Sequence, residues 1–181
     1  MNPLWEGRLE RSKKGSFYRF NAGMYPVPVY MITDHDSYKY WFKKYSKYVD
    51  PSHLNTYLSW WPDGDSHVLA FVGVVKAPHG GIVLLLAVPA QLRHEPMDAF
   101  LGYLVHECTH IKQETLRYIG EEGPHGDEAE AYLMQRIFEQ AITGFYKLLK
   151  EDEVDQTGSE VAEGGWEERG SKETNRADAK S

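Results

Sequence analysis

Residues 106–110 read His106-Glu107-Cys108-Thr109-His110, two histidines four apart with a glutamate beside the first. In a helix, residues at that spacing stand one above the other, with Cβ atoms about 5–6 Å apart. Two imidazoles so placed can reach one tetrahedral zinc ion at ~2.0–2.1 Å each. Glu107 adjoins the first of them, where its carboxylate can face a water on the metal. Zinc lowers the pKa of such a water toward ~7, and a neighbouring carboxylate can take its proton. The chain has eight histidines, and chance alone would give roughly 0.03 copies of the pattern. His106 and His110 are therefore the expected metal ligands and Glu107 the expected general base. Cys108 sits between them in sequence but points to the opposite side of a helix, and core packing is the expectation for it.

A catalytic zinc site commonly has three protein ligands and one open position. The third ligand must lie outside the motif. Glu128 and Glu130 open the next helical stretch. Glu114, Glu121 and Glu122 lie nearer, but Glu114 would have to reach along its own helix axis and the other two belong to a Gly-rich loop. His125, in the same loop, would complete a three-histidine site or could stabilise an oxyanion. Counting 100° per residue, the stripe Met134, Ile137, Phe138, Ala141, Phe145 passes closer to Glu130 than to Glu128. Acidic residues in a first turn also complement the helix dipole, and Asp127 with Glu130 fits a capping box.

The pair His106–His110 and Glu128-Ala129-Glu130-Ala131-Tyr132 resembles the gluzincin type of zinc metallopeptidase, in which H-E-x-x-H is followed by E-x-x-A-[D/N] on a second helix. His106–Gln113 is also similar to small metallopeptidase-like proteins of bacteria and phages. The likeness covers about 35 residues, roughly a fifth of the chain. It implies zinc held by His106, His110 and Glu128, with Glu130 as the alternative third ligand and Glu107 as general base. It also implies peptide-bond hydrolysis and a protein or peptide substrate. Tyr132 stands where the family pattern has Asp or Asn, a position whose side chain normally orients a ligand histidine. Its hydroxyl could serve instead, or polarise a substrate carbonyl.

The elements that must hold these residues are legible in outline. Pro96 to about Arg117 reads as a helix with the apolar stripe Phe100, Leu101, Leu104, Val105, Cys108, Ile111, leaving both histidines on the other side. Asp127–Lys150 reads as a second long helix, with Asp127 as N-cap. Upstream, Val68–Val75 and Ile82–Val88 flank Lys76–Gly81 and predict a hairpin. Neither run alternates, so both faces of these strands are expected to be covered. Val27–Thr33 reads as a strand with Pro26 and Pro28 at an edge or at its start. Trp5–Phe20 is aromatic and mixed, with room for one short strand. Ser37–Val49 reads as a helix, with Tyr38, Trp41, Phe42 and Tyr45 on one face and Lys39, Lys43 and Lys47 on another. The fold class expected is α+β: a small, mostly antiparallel, zincin-like sheet, then a metal-site helix and a second long helix.

Composition sets the remaining bounds. The net charge is −7. Residues 151–181 hold 10 acidic and 4 basic residues and almost nothing apolar, which predicts an acidic, disordered tail. Residues 1–150 are then one domain carrying 16 basic and 17 acidic residues, nearly neutral. That balance argues against a strongly basic nucleic-acid-binding domain and leaves open a local basic patch. With one cysteine, no internal disulfide and no Cys-based zinc site can form. No apolar run approaches the ~20 residues that span a bilayer. The expectation is a cytoplasmic protein without membrane or nucleic-acid partners, and the resemblance to small metallopeptidase-like proteins implies a bacterial or phage origin. The main rivals are a catalytically inactive binding or structural protein on the same fold, and a nucleic-acid module using the Lys/aromatic helix.

Overall fold

The computed structural model describes residues 7–49, 59, 61, 70–77, 80–121 and 127–161, the stretch 151–161 as backbone alone. Five strands form one sheet: β1 (Arg8–Ser12), β2 (Gly15–Asn21), β3 (Pro28–Ile32), β4 (Phe71–Lys76) and β5 (Ile82–Ala87), in the order β1-β2-β3-β5-β4. Three helices accompany it: α1 (His35–Tyr45), α2 (Met97–Ile119) and α3 (Asp127–Val161). Three of the strand pairings are antiparallel and one, β3 with β5, is parallel.

The period-2 alternation of the strands assigns their side chains to two layers. Phe17, Tyr30, Ile32, Val75 and Leu85 face α1 and pack with Tyr38, Trp41 and Phe42. Tyr18, Phe20, Val29, Met31, Leu84 and Leu86 face the other way and pack with α2 and α3. The inner strands β3 and β5 are therefore covered on both faces, which is why the Ile82–Ala87 run is apolar without a break. Phe100 of α2 meets Phe145 of α3 with ring centroids 4.7 Å apart, joining the two helices over the sheet.

Several expectations need adjusting. The aromatic N-terminal stretch holds two strands rather than one, joined by a turn at 13–14 in which Ser12 Oγ accepts from the Lys14 N–H. Pro28 begins β3, an inner strand, so of the two placements it marks the strand start. It can do so because a first residue need not donate to the ladder. Helix α1 starts two residues before the expected Ser37. Asp34 accepts from the Ser37 N–H at 2.7 Å, a cap the reading overlooked. A short 3-10 turn, Ser46–Tyr48, replaces its last turn. Helix α3 continues to Val161, past the expected end at Lys150.

Candidate metal centre

Helix α2 turns Phe100, Leu104, Cys108 and Ile111 into the core. Pro96 stands at its N-terminus, accepting from the Phe100 N–H at 2.9 Å. Gly120 ends it in the left-handed region at φ 77°, a conformation glycine adopts without a Cβ clash. Val105 departs from the expected stripe and is 42% exposed. It sits one position before His106, at the edge of the stripe where the helix turns toward solvent.

His106 and His110 both lie on the solvent side of α2. Their Nε2 atoms are 3.1 Å apart, and the rings meet edge to face with centroids 4.7 Å apart. Two zinc-bound nitrogens at tetrahedral angles stand roughly 3.3–3.4 Å apart. The separation of the two imidazole nitrogens is thus within a few tenths of an ångström of that distance. Their donor type also suits such a site.

Glu107 takes a different direction. It is 7% exposed, and its carboxylate accepts from the backbone N–H of Val72 in the edge strand β4. Burial pushes its carboxyl above the ordinary range, while His110, His106 and the Val72 N–H pull the other way. The glutamate thus ties the motif helix to β4, the last strand of the described sheet. This Val72 contact was not legible in the sequence, since a backbone donor carries no residue signature.

The other candidates are distributed as follows. Glu130 is half-buried and pairs with Lys112 of α2 at 2.7 Å. Glu128 is exposed. Glu114 pairs with Arg117 on its own helix, and Glu121 is exposed just past the α2 cap. Tyr132, expected to hold a histidine or a substrate carbonyl, is 61% exposed on the surface of α3. His94 is exposed and accepts from Arg93 Nε at 3.2 Å. Glu122, His125, His79, Trp60 and Pro62 lie outside the described residues. Trp61 stacks on His35 at 5.8 Å and packs near Tyr38. Among the described residues, no third His, Cys, Asp or Glu joins His106 and His110 in a group able to hold a metal ion.

Cys108 is fully buried, and burial pushes its thiol up to about 12. It is core, as its helix position predicts. The aromatics of α1 are buried or half-buried while Lys39, Lys43 and Lys47 are exposed, the arrangement of a core helix with a solvated face. Among the described residues, no helix is long and apolar enough to cross a membrane. Comparison with family models, with curated proteins and with solved structures finds no match to this chain.

Proposed function

We propose that the chain is a zinc-dependent metallopeptidase on a zincin-like α+β architecture. The observation that carries this reading is the pair of imidazole nitrogens 3.1 Å apart on the solvent side of α2, beside a glutamate buried against the edge strand. His106 and His110 would hold the ion. Glu128 is the proposed third ligand and Glu130 the alternative. Glu130 would have to give up Lys112 to serve. Zinc, when bound there, supplies Lewis acidity to a substrate carbonyl and to water.

The protein's own part falls to Glu107. Its carboxylate takes a proton from the attacking water and returns it to the leaving amine. The hydrogen bond from Val72 holds that carboxylate in one orientation. An extended peptide would lie along the edge strand β4, pairing with the backbone groups that the Val72–Glu107 bond leaves available.

The second reading is a catalytically inactive zincin-like binding or structural protein. It draws on Glu128 being exposed and Glu130 being paired elsewhere, so that the third ligand is not assembled among the described residues. Metal content per chain, on protein purified without a metal-affinity tag, separates the possibilities. One zinc in the wild type and none in His110→Ala is expected. Peptide-library cleavage by the wild type, lost in Glu107→Gln with zinc retained, is the expected companion result. Zinc without cleavage would favour the inactive reading, and cleavage undiminished in Glu107→Gln would overturn the mechanism.

A further inference from the structure

The near-neutral body conceals a strong local imbalance. Residues 7–49 hold nine basic residues and three acidic ones, a net of +6. Residues 70–150 hold seven basic and ten acidic residues, a net of −3. The fold concentrates the first group on the β1–β2 hairpin and α1, while the second supplies β4, β5, α2 and most of α3. All nine basic side chains are exposed. Two of the three acids are engaged locally: Glu10 takes Lys44 at 3.0 Å, and Asp34 caps α1. Asp36 is exposed in the first turn of α1.

Register adds a second observation. Arg8 and Arg19 stand directly opposite each other across the β1–β2 ladder. Arg19 lies over the Tyr30 ring at 5.8 Å, on the α1 side of the sheet, and its ladder partner Arg8 shares that face. Like charges directly opposite on one face destabilise a sheet. Among the described residues no carboxylate pairs with either guanidinium. An anion bridging the two would relieve the repulsion. From this pair, about 13 Å of strand runs to Ser12, and Lys13 and Lys14 follow in the hairpin turn. Between them Lys44 lies over the Phe17 ring at 4.9 Å, its charge paired with Glu10 of the same face, so among the described residues of this stretch the unpaired cations are the arginine pair and the turn lysines.

We infer that the α1-side face of the β1–β2 hairpin is a docking surface for a nucleic-acid backbone, held through its phosphates without reading the bases. The absence of base readout follows from α1, whose Tyr38, Trp41 and Phe42 are buried in the core and cannot stack on bases. Arginine pairs suit phosphate oxygens, which they engage bidentately. This inference is independent of the metal centre.

The test is fluorescence anisotropy of the full chain with a labelled DNA duplex of about 20 base pairs, titrated between roughly 50 and 200 mM salt. Binding is expected to weaken by about 100-fold across that range, a log–log slope of about −3 to −4. The double variant Arg8→Gln, Arg19→Gln should reduce the slope by about two, and its thermal midpoint in the absence of DNA should not fall, since the opposed charges are gone. No binding at the lowest salt, or a slope unchanged in the double variant, would overturn the inference. So would displacement of the duplex by poly-glutamate at matched charge, which would identify the surface as one for acidic proteins.

Discussion

At Glu107, two demands meet on one side chain. The proposed general-base role needs access to a reacting water, whereas this carboxylate is buried against β4 and held by the Val72 N–H. The choice of third ligand is likewise a matter of single residues. Glu128→Gln is expected to lose bound zinc while Glu130→Gln retains it and forfeits the Lys112 bridge, itself worth about 0–1 kcal/mol at this exposure. Zinc lost from the Glu130 variant alone would reverse that assignment. Cys108 tests the same helix from the opposite side. Its thiol is buried and protonated, so a thiol-specific disulfide reagent at neutral pH should label it only after denaturation. Rapid labelling of the native protein would mean that α2 is turned differently.

Helix α3 packs closely on β2, and one glycine permits it. A Cβ built at Gly144 would run into the Tyr18 ring and stand 3.1 Å from Met31 Sδ. Two effects compete in Gly144→Ala. Helix propensity favours alanine by about 1 kcal/mol, whereas forcing an extra carbon into a filled contact costs about 1–3 kcal/mol. The clash should win, because a ring buried between the sheet and α3 has little room to yield. Chemical denaturation is expected to show a net loss of stability. A more stable alanine variant would show that the layer spacing is looser than described. Gln140 adds a polar clasp along the same contact, accepting from Tyr18 Oη–H at 3.0 Å and from the Gly7 N–H at 3.1 Å.

The molecule as a whole is three layers, and its two faces differ in chemistry. The α1 layer is aromatic and basic; the opposite layer carries the candidate metal centre. Tyr30 and Tyr38 lie in the α1 layer, and burial raises both phenols well above their ordinary value of 10.0. In the unfolded chain these phenols ionise near pH 10. Above that pH the unfolded state has released protons that the folded state still holds. The contribution of these two phenols to stability should therefore be constant below about pH 10 and be lost as pH rises further. Alkaline unfolding followed by circular dichroism and tyrosinate absorbance should show the two changes together. Tyrosine ionisation completed near pH 10 with the fold intact would contradict the burial of these rings.

How much of this was legible in advance depends on the range of the interaction. The histidine pair, the buried stripe of α2 and the hairpin of β4 with β5 were readable because helices and strands repeat at 3.6 and 2 residues, so local spacing fixes which side chains share a face. Pro28 and the apolar Ile82–Ala87 run were readable for similar local reasons. The hairpin of β1 with β2 was half missed, since its aromatic residues divide between two layers and give no single period. Glu107 on Val72, Glu130 on Lys112 and Arg8 against Arg19 each join residues far apart in the chain or set by strand register. Nothing in local spacing encodes those meetings. Residue types and periods determined a histidine pair on an amphipathic helix beside an aromatic sheet; only the packing of α2 against β4 and α3 decided which carboxylate is buried, which is paired and which is left to solvent.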